Sequence, residues 1–151
     1  MPDYSNYNAR TYNAYGEIWR NTGKCVFCDL KDKYIITEKN KIVLTMNIFP
    51  YIDGHLLIIP RRHFESFEEM TKKEWSTMKD LADIGKKLIE KVTGNKDVWF
   101  LYRMPKGWTA QKTVPHMHAH LIPFHKDLFK WDYQEIKNSP EEFAKEFRKA
   151  L

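Results

Sequence analysis

The chain has 151 residues, of which 30% are charged and 42% hydrophobic, and its formal charge is +5. That length predicts one domain with enough chain for a packed core. The mild positive charge favours anionic ligands, nucleotides included, but falls short of a dedicated nucleic-acid binder, and no apolar run reaches membrane-spanning length.

Residues 1–20 read as a loose N-terminal extension. Met1 to Gly16 is polar, tyrosine-rich and without periodicity, and it lacks the apolar stretch of a signal peptide. Ordered packing is expected to begin through Ile18 and Trp19. Thr22-Gly23-Lys24 then turns the chain into Cys25-Val26-Phe27-Cys28, which holds both cysteines. Two residues between them do not suit a disulfide framework. The pair points to a reducing compartment, the cytoplasm, with metal or redox chemistry. A redox pair is the weaker reading, because no βαβ pattern surrounds it. A metal site would need two more ligands, and with no further cysteine they would have to be histidines. An inert buried pair is the third reading.

Tyr34 to Thr37 and Lys41 to Met46 are rich in Ile, Val and Thr and read as strands, with Glu38-Lys39-Asn40 as the turn. Asn47 to Gly54 is a loop. His55 to Pro60 is a third, apolar strand, followed at once by Arg61-Arg62-His63. Thr71 to Val92 is the main helix. Thr71-Lys72-Lys73-Glu74 forms its capping box, and Trp75, Met78, Leu81, Ala82, Gly85, Leu88, Ile89 and Val92 recur at helical spacing as one buried face. Gly94-Asn95 stops it. Asp97 to Arg103 is a fourth strand, and a Gly-, Lys- and Pro-containing loop leads to Thr113. Residues 124–151 are mixed, with Phe129 and Trp131 near His125, and end in a helix opened by Ser139-Pro140-Glu141-Glu142, with Phe143, Phe147 and Leu151 as its apolar edge. Antiparallel strands interrupted by one long helix define an α+β domain over residues 1–151.

Between Thr113 and Pro123, His116, His118 and His120 alternate with Met117, Ala119 and Leu121. On a strand the three imidazoles share one face and the apolar residues line the other. Three adjacent imidazoles pack poorly and need partners, which favours chemistry over core. A three-histidine metal site of the cupin kind would use the same pattern but predicts many short strands, against which the long helix argues.

The stretch His116-Met117-His118-Ala119-His120-Leu121-Ile122 resembles the signature of the histidine triad (HIT) family. Asn47, Gly54-His55, and Pro60-Arg61-Arg62-His63 fit the same pattern, and the resemblance spans residues 25–123, the expected core. It implies an antiparallel sheet of about five strands with one long helix and a C-terminal helix, and pairing into a homodimer. It implies a structural zinc on Cys25, Cys28, His63 and His116, a Cys₂His₂ set of the closed tetrahedral kind.

The resemblance further implies that His118 attacks the α-phosphorus of a nucleotide conjugate, forming a nucleotidyl-histidine resolved by water or phosphate. His120 would donate to phosphate oxygens, and His55 would join the histidines in a hydrogen-bonded set. Asn47 would hold the ribose hydroxyls, and Thr113 would contact phosphate or leaving group. The implied substrates are dinucleoside polyphosphates, phosphoramidates or adenylates, with neither nucleic acid nor membrane as a stable partner. A non-catalytic nucleotide-binding protein would keep the same fold. This chain departs from the family in one loop. Gln111, a substrate-binding candidate, stands one place out of register, and Pro105 falls where many members have Asn or Gln. Arg103, Lys106 and Lys112 are the candidates to replace the lost phosphate contact.

Overall fold

The computed structural model describes residues 14–109, 112–127 and 133–151. Gln111, Phe129 and Trp131 lie outside these residues. The elements run α1 (Ala14–Thr22), β1 (Ile35–Lys39), β2 (Ile42–Met46), β3 (Leu56–Pro60), α2 (Lys72–Thr93), β4 (Val98–Tyr102), β5 (Ala119–Pro123) and α3 (Pro140–Ala150). The strands form one antiparallel sheet in the order β1-β2-β3-β5-β4. The α+β architecture read from the sequence is the one observed.

Alternation along the strands separates the two faces of the sheet. Leu44, Leu56, Ile58, Ala119 and Leu121 meet Met78, Leu81 and Ile89 of α2 in the main core. Each such side chain, fully buried, contributes roughly 1.5–3 kcal/mol of transfer free energy, apart from the smaller alanine. Leu57 and Ile59 point the other way, onto Cys25, Phe27 and Val114, with Tyr15 and Trp19 of α1 packed alongside. Both faces of β3 are covered, so every residue of it is buried. The helix therefore occupies one face and leaves the histidines to the other.

The capping box of α2 forms as read. The Glu74 amide donates to the Thr71 hydroxyl at 3.1 Å, and the Thr71 amide donates to the Glu74 carboxylate at 2.9 Å. Arg62 adds a two-pronged pair to that carboxylate at 2.8 and 2.9 Å, pulling its pKa down to about 2. At the other end Gly94 adopts φ +74°, the left-handed conformation that closes a helix, and its amide reaches the Glu90 carbonyl.

Four expectations are corrected. Residues 14–20 are helical rather than loose, because Tyr15 and Trp19 bury one side of α1 against the sheet. The first hairpin turns at Asn40-Lys41, both with positive φ (49° and 62°), so β1 runs on through Glu38 and Lys39. A two-residue turn of that hand matches strand twist, and Asn tolerates the conformation. Trp75 and Val92, placed on the buried face of α2, are 40% and 80% exposed, since they lie at the margins of a face centred on Met78, Leu81 and Ile89. On α3 the Phe143, Phe147 and Leu151 edge lies as read, and it is exposed.

The fourth correction concerns the histidine segment, which is a strand only from Ala119 onward. Pro115 has no amide to give a ladder, and the His116 amide folds back on the Val114 carbonyl at 2.9 Å. His116 and His118 therefore precede β5, and only His120 lies within it.

Candidate functional site

The fold brings together two clusters on the sheet face away from α2. The first gathers Cys25, Cys28, His63 and His116, whose four donor atoms all lie within 4.8 Å of one another. His116 Nδ1 stands 3.4 Å from Cys25 Sγ, 3.5 Å from Cys28 Sγ and 3.1 Å from His63 Nδ1, and His63 Nδ1 stands 3.3 Å from Cys28 Sγ. A tetrahedron of sulfur and nitrogen ligands around a zinc-sized ion has edges of roughly 3.3–3.8 Å, so these separations fit a metal ion. The tautomer of His116 fits as well. Its Nε2–H donates to the Pro60 carbonyl at 2.7 Å, which leaves the Nδ1 lone pair facing the sulfurs. The Pro115 turn is what swings His116 toward this cluster. Burial lowers its pKa to about 4 and keeps the ring neutral, the form a metal ligand needs. Among the described residues, His118 and His120 belong to no metal-compatible group, so the three histidines do not converge on one ion.

The second cluster is a chain of imidazoles. The Tyr51 amide donates to His55 Nδ1 at 3.1 Å, with the Asn47 amide group 3.3 Å from the same atom. His55 therefore carries its proton on Nε2, which lies 2.9 Å from His120 Nδ1. Tyr51 stacks on His120 and meets His55 edge-on. His118 donates its Nδ1 proton to the His116 carbonyl at 2.7 Å, so its Nε2 keeps an unprotonated lone pair. Burial lowers the His118 pKa to about 4. Burial, with the neighbouring His118, His55 and Arg103, drives that of His120 far below the ordinary histidine range. Both rings are neutral at physiological pH.

Phe27 meets His118 edge-on, centroids 4.9 Å apart, and also lines a cavity of about 210 Å³. Tyr15, Leu30, Met46, Ile48 and Leu57 form other parts of its wall. The cavity is mostly apolar, with Lys24, Asp29 and Lys31 also in its wall, and Phe27 joins it to the histidine array, which is the setting for a planar apolar group held next to a reactive polar one.

The remaining candidates divide. Asn47 is buried, and its side-chain oxygen accepts from the Phe49 amide at 3.0 Å and the Tyr15 hydroxyl at 2.9 Å. Thr113 is exposed. Lys112 is fully buried, and its ammonium donates to the carbonyls of Glu65 and Pro105 at 2.5 and 2.6 Å, so it clamps the loop rather than reaching ligand. Arg103 instead lies beside the array, its Nη1 2.9 Å from His120 Nε2. Tyr15 was missed at the sequence level, because nothing periodic marks its segment.

One antiparallel sheet, one covering helix and a histidine array beside a cavity define a class of small α+β protein. The family model described as "HIT domain" matches residues 30–127, and the chain belongs to the HIT domain family. It is 27% identical to adenosine 5′-monophosphoramidase HINT3 of Danio rerio over 122 residues, covering 76% of this chain and 74% of that protein. It is 29% identical to bis(5′-adenosyl)-triphosphatase of Dictyostelium discoideum, covering 64% of this chain and 65% of that one. Its fold is shared with a HIT family protein of Bacillus subtilis (TM-score 0.69, 22% identity, 85% of this chain and 97% of the other). A histidine triad nucleotide-binding protein of Candida albicans is equally similar in fold (TM-score 0.69, 21% identity, 84% and 94%).

Proposed function

We propose that this protein is a nucleotidyl hydrolase or transferase that attacks the α-phosphate of a nucleoside phosphate conjugate with His118. The observation that carries the reading is the 2.7 Å bond from His118 Nδ1 to the His116 carbonyl, which fixes a neutral ring with a nucleophilic Nε2 beside the apolar cavity. The nucleoside occupies that cavity. His118 Nε2 forms a bond to phosphorus while the bond to the leaving group breaks, and the departing group takes the electron pair. Water or phosphate then attacks the same phosphorus, and the P–N electrons return to His118. The Nε2–H of His120 stabilises charge on phosphate oxygens, and His55 holds His120 in the tautomer that makes this possible.

Cys25, Cys28, His63 and His116 hold a zinc ion in this reading. Such an ion supplies a covalent tie between the segment before β1 and the approach to β5, and takes no part in the reaction. The Cys pair suits a reducing compartment, so the cytoplasm is the expected location. No helix among the described residues is long and apolar enough to cross a membrane.

Protein quenched in base during turnover of a dinucleoside polyphosphate tests the reading. Mass spectrometry of the digest should find a nucleotide on His118, labile in acid. An adduct on another residue, or turnover with no adduct under conditions that preserve phosphohistidine, would overturn it.

A further inference from the structure

Two hydrogen-bond donors face each other beside His120. The Tyr51 N–H requires His55 Nδ1 to accept, so the His55 proton sits on Nε2 and points at His120 Nδ1, 2.9 Å away. A neutral His120 that accepts there must carry its own proton on Nε2. Arg103 Nη1, which can only donate, lies 2.9 Å from that same Nε2. Arg103 and His120 thus bring two N–H groups together, an arrangement satisfied when one acceptor with negative charge takes both of them from the side.

The order of the strands says which part of a substrate that acceptor belongs to. The apolar cavity lies over β2 and β3, where Thr45, Met46, Leu57 and Ile59 contribute to its wall. His120 stands on the next strand, β5, with His118 just before it, and Arg103 follows β4 on the far side. A nucleoside in the cavity with its α-phosphorus at His118 therefore extends its remaining atoms toward Arg103. Of the other two candidate cations, Lys112 is spent on backbone carbonyls and Lys106 is exposed.

We propose that Arg103 is a leaving-group residue that, with His120, clamps the departing phosphate and makes the site selective for phosphoric anhydrides over phosphoramidates. This rests on the proposed function. A guanidinium offers charge and paired N–H groups but no transferable proton. An anhydride leaves as a phosphate or nucleotide anion, taking the P–O electron pair with it, and a fixed cation stabilises that charge as it develops. The amine of a phosphoramidate takes the P–N electron pair and needs a proton, which Arg103 cannot supply. The benefit is therefore unequal between the two classes.

The test compares kcat/KM for diadenosine triphosphate and adenosine 5′-phosphoramidate in wild type, Arg103→Gln and Arg103→Lys. In Arg103→Gln the triphosphate value should fall about 100-fold or more, as on removing an oxyanion donor. The ratio of the two values should shift at least about 20-fold toward phosphoramidate, with Arg103→Lys recovering part of it. Equal losses on both substrates, or an unchanged triphosphate value, would overturn the proposal. Calorimetric binding of ADP and adenosine keeps it separable from the reaction itself. Arg103→Gln should weaken ADP at least about tenfold while adenosine is little changed, even if wild type turns over neither substrate. Failure of wild-type turnover counts against the proposed function, and an unchanged ADP affinity counts against Arg103.

Discussion

His118 must be neutral to attack phosphorus, and its surroundings hold it so. Burial lowers its pKa from 6.5 to about 4, which displaces the acid limb of activity. A pH profile of kcat/KM should stay level to about pH 5 before falling, and a limb centred near 6.5 would contradict the burial argument. Stability follows the same shift. Above pH 6.5 folded and unfolded chains both carry the neutral ring. Between 6.5 and 4 only the unfolded chain takes up the proton, so folding weakens as the pH falls, by roughly 3 kcal/mol once both forms are protonated. His118→Gly should cost several powers of ten in turnover and leave metal content intact, as measured by single-turnover kinetics and elemental analysis. Tyr15→Phe removes a hydroxyl that occupies the Asn47 oxygen at 2.9 Å. If Asn47 holds ribose, this change should tighten nucleoside binding several-fold in calorimetry, because the oxygen no longer has to exchange partners. At this scale the histidines were legible because their alternation is unusual. Arg103 was legible only as one of three candidate cations, with Lys106 and Lys112, since counting back from His116 points to Pro105. Only the pairing of Leu101 with His120 and Tyr102 with Ala119 carries Arg103 to the array.

Among the elements, α2 was legible almost to the residue, because its cap and its stop are local chemistry. Its exposed margins were not, since the width of a buried face depends on the sheet beneath it. Gly85 shows the tightness of that packing. A Cβ there would run into the Leu121 side chain and stand 3.3 Å from Leu44. Gly85→Leu should lower unfolding stability by at least ~2 kcal/mol in denaturant titration, more than the helix propensity gained, which is about 1 kcal/mol. The histidine segment was legible as chemistry but not as a complete strand, because the turn at Pro115 depends on where His116 must point. That turn ties two elements through the Cys/His cluster. Cys25→Ser, or a strong chelator, should therefore lower the melting temperature and cost about 3 kcal/mol or more, with a smaller effect on rate per folded molecule. Loss of turnover without loss of stability would place the metal in the chemistry instead.

For the whole molecule the informative element is β4. It forms one edge of the sheet, and its Phe100 is 38% exposed beside Trp75 of α2 at 40%. Trp75 and Tyr102 each meet the rings of Phe67 and Phe100 there and meet each other, so aromatic surface continues from the edge strand onto the helix. An exposed edge strand flanked by apolar side chains pairs readily with another strand unless charge or proline blocks it, and Val98-Trp99-Phe100-Leu101-Tyr102 contains neither. Two copies related by a two-fold axis can place β4 against β4 antiparallel and bury both aromatic clusters at once. The protein is therefore expected to sediment as a dimer, at twice 18.2 kDa, at micromolar concentration. Phe100→Asp sets two like charges at the paired edges and should return the 18.2 kDa monomer while leaving the histidine array folded. Wild type that sediments as a monomer, or a Phe100→Asp variant that remains dimeric, would show that β4 is not the interface.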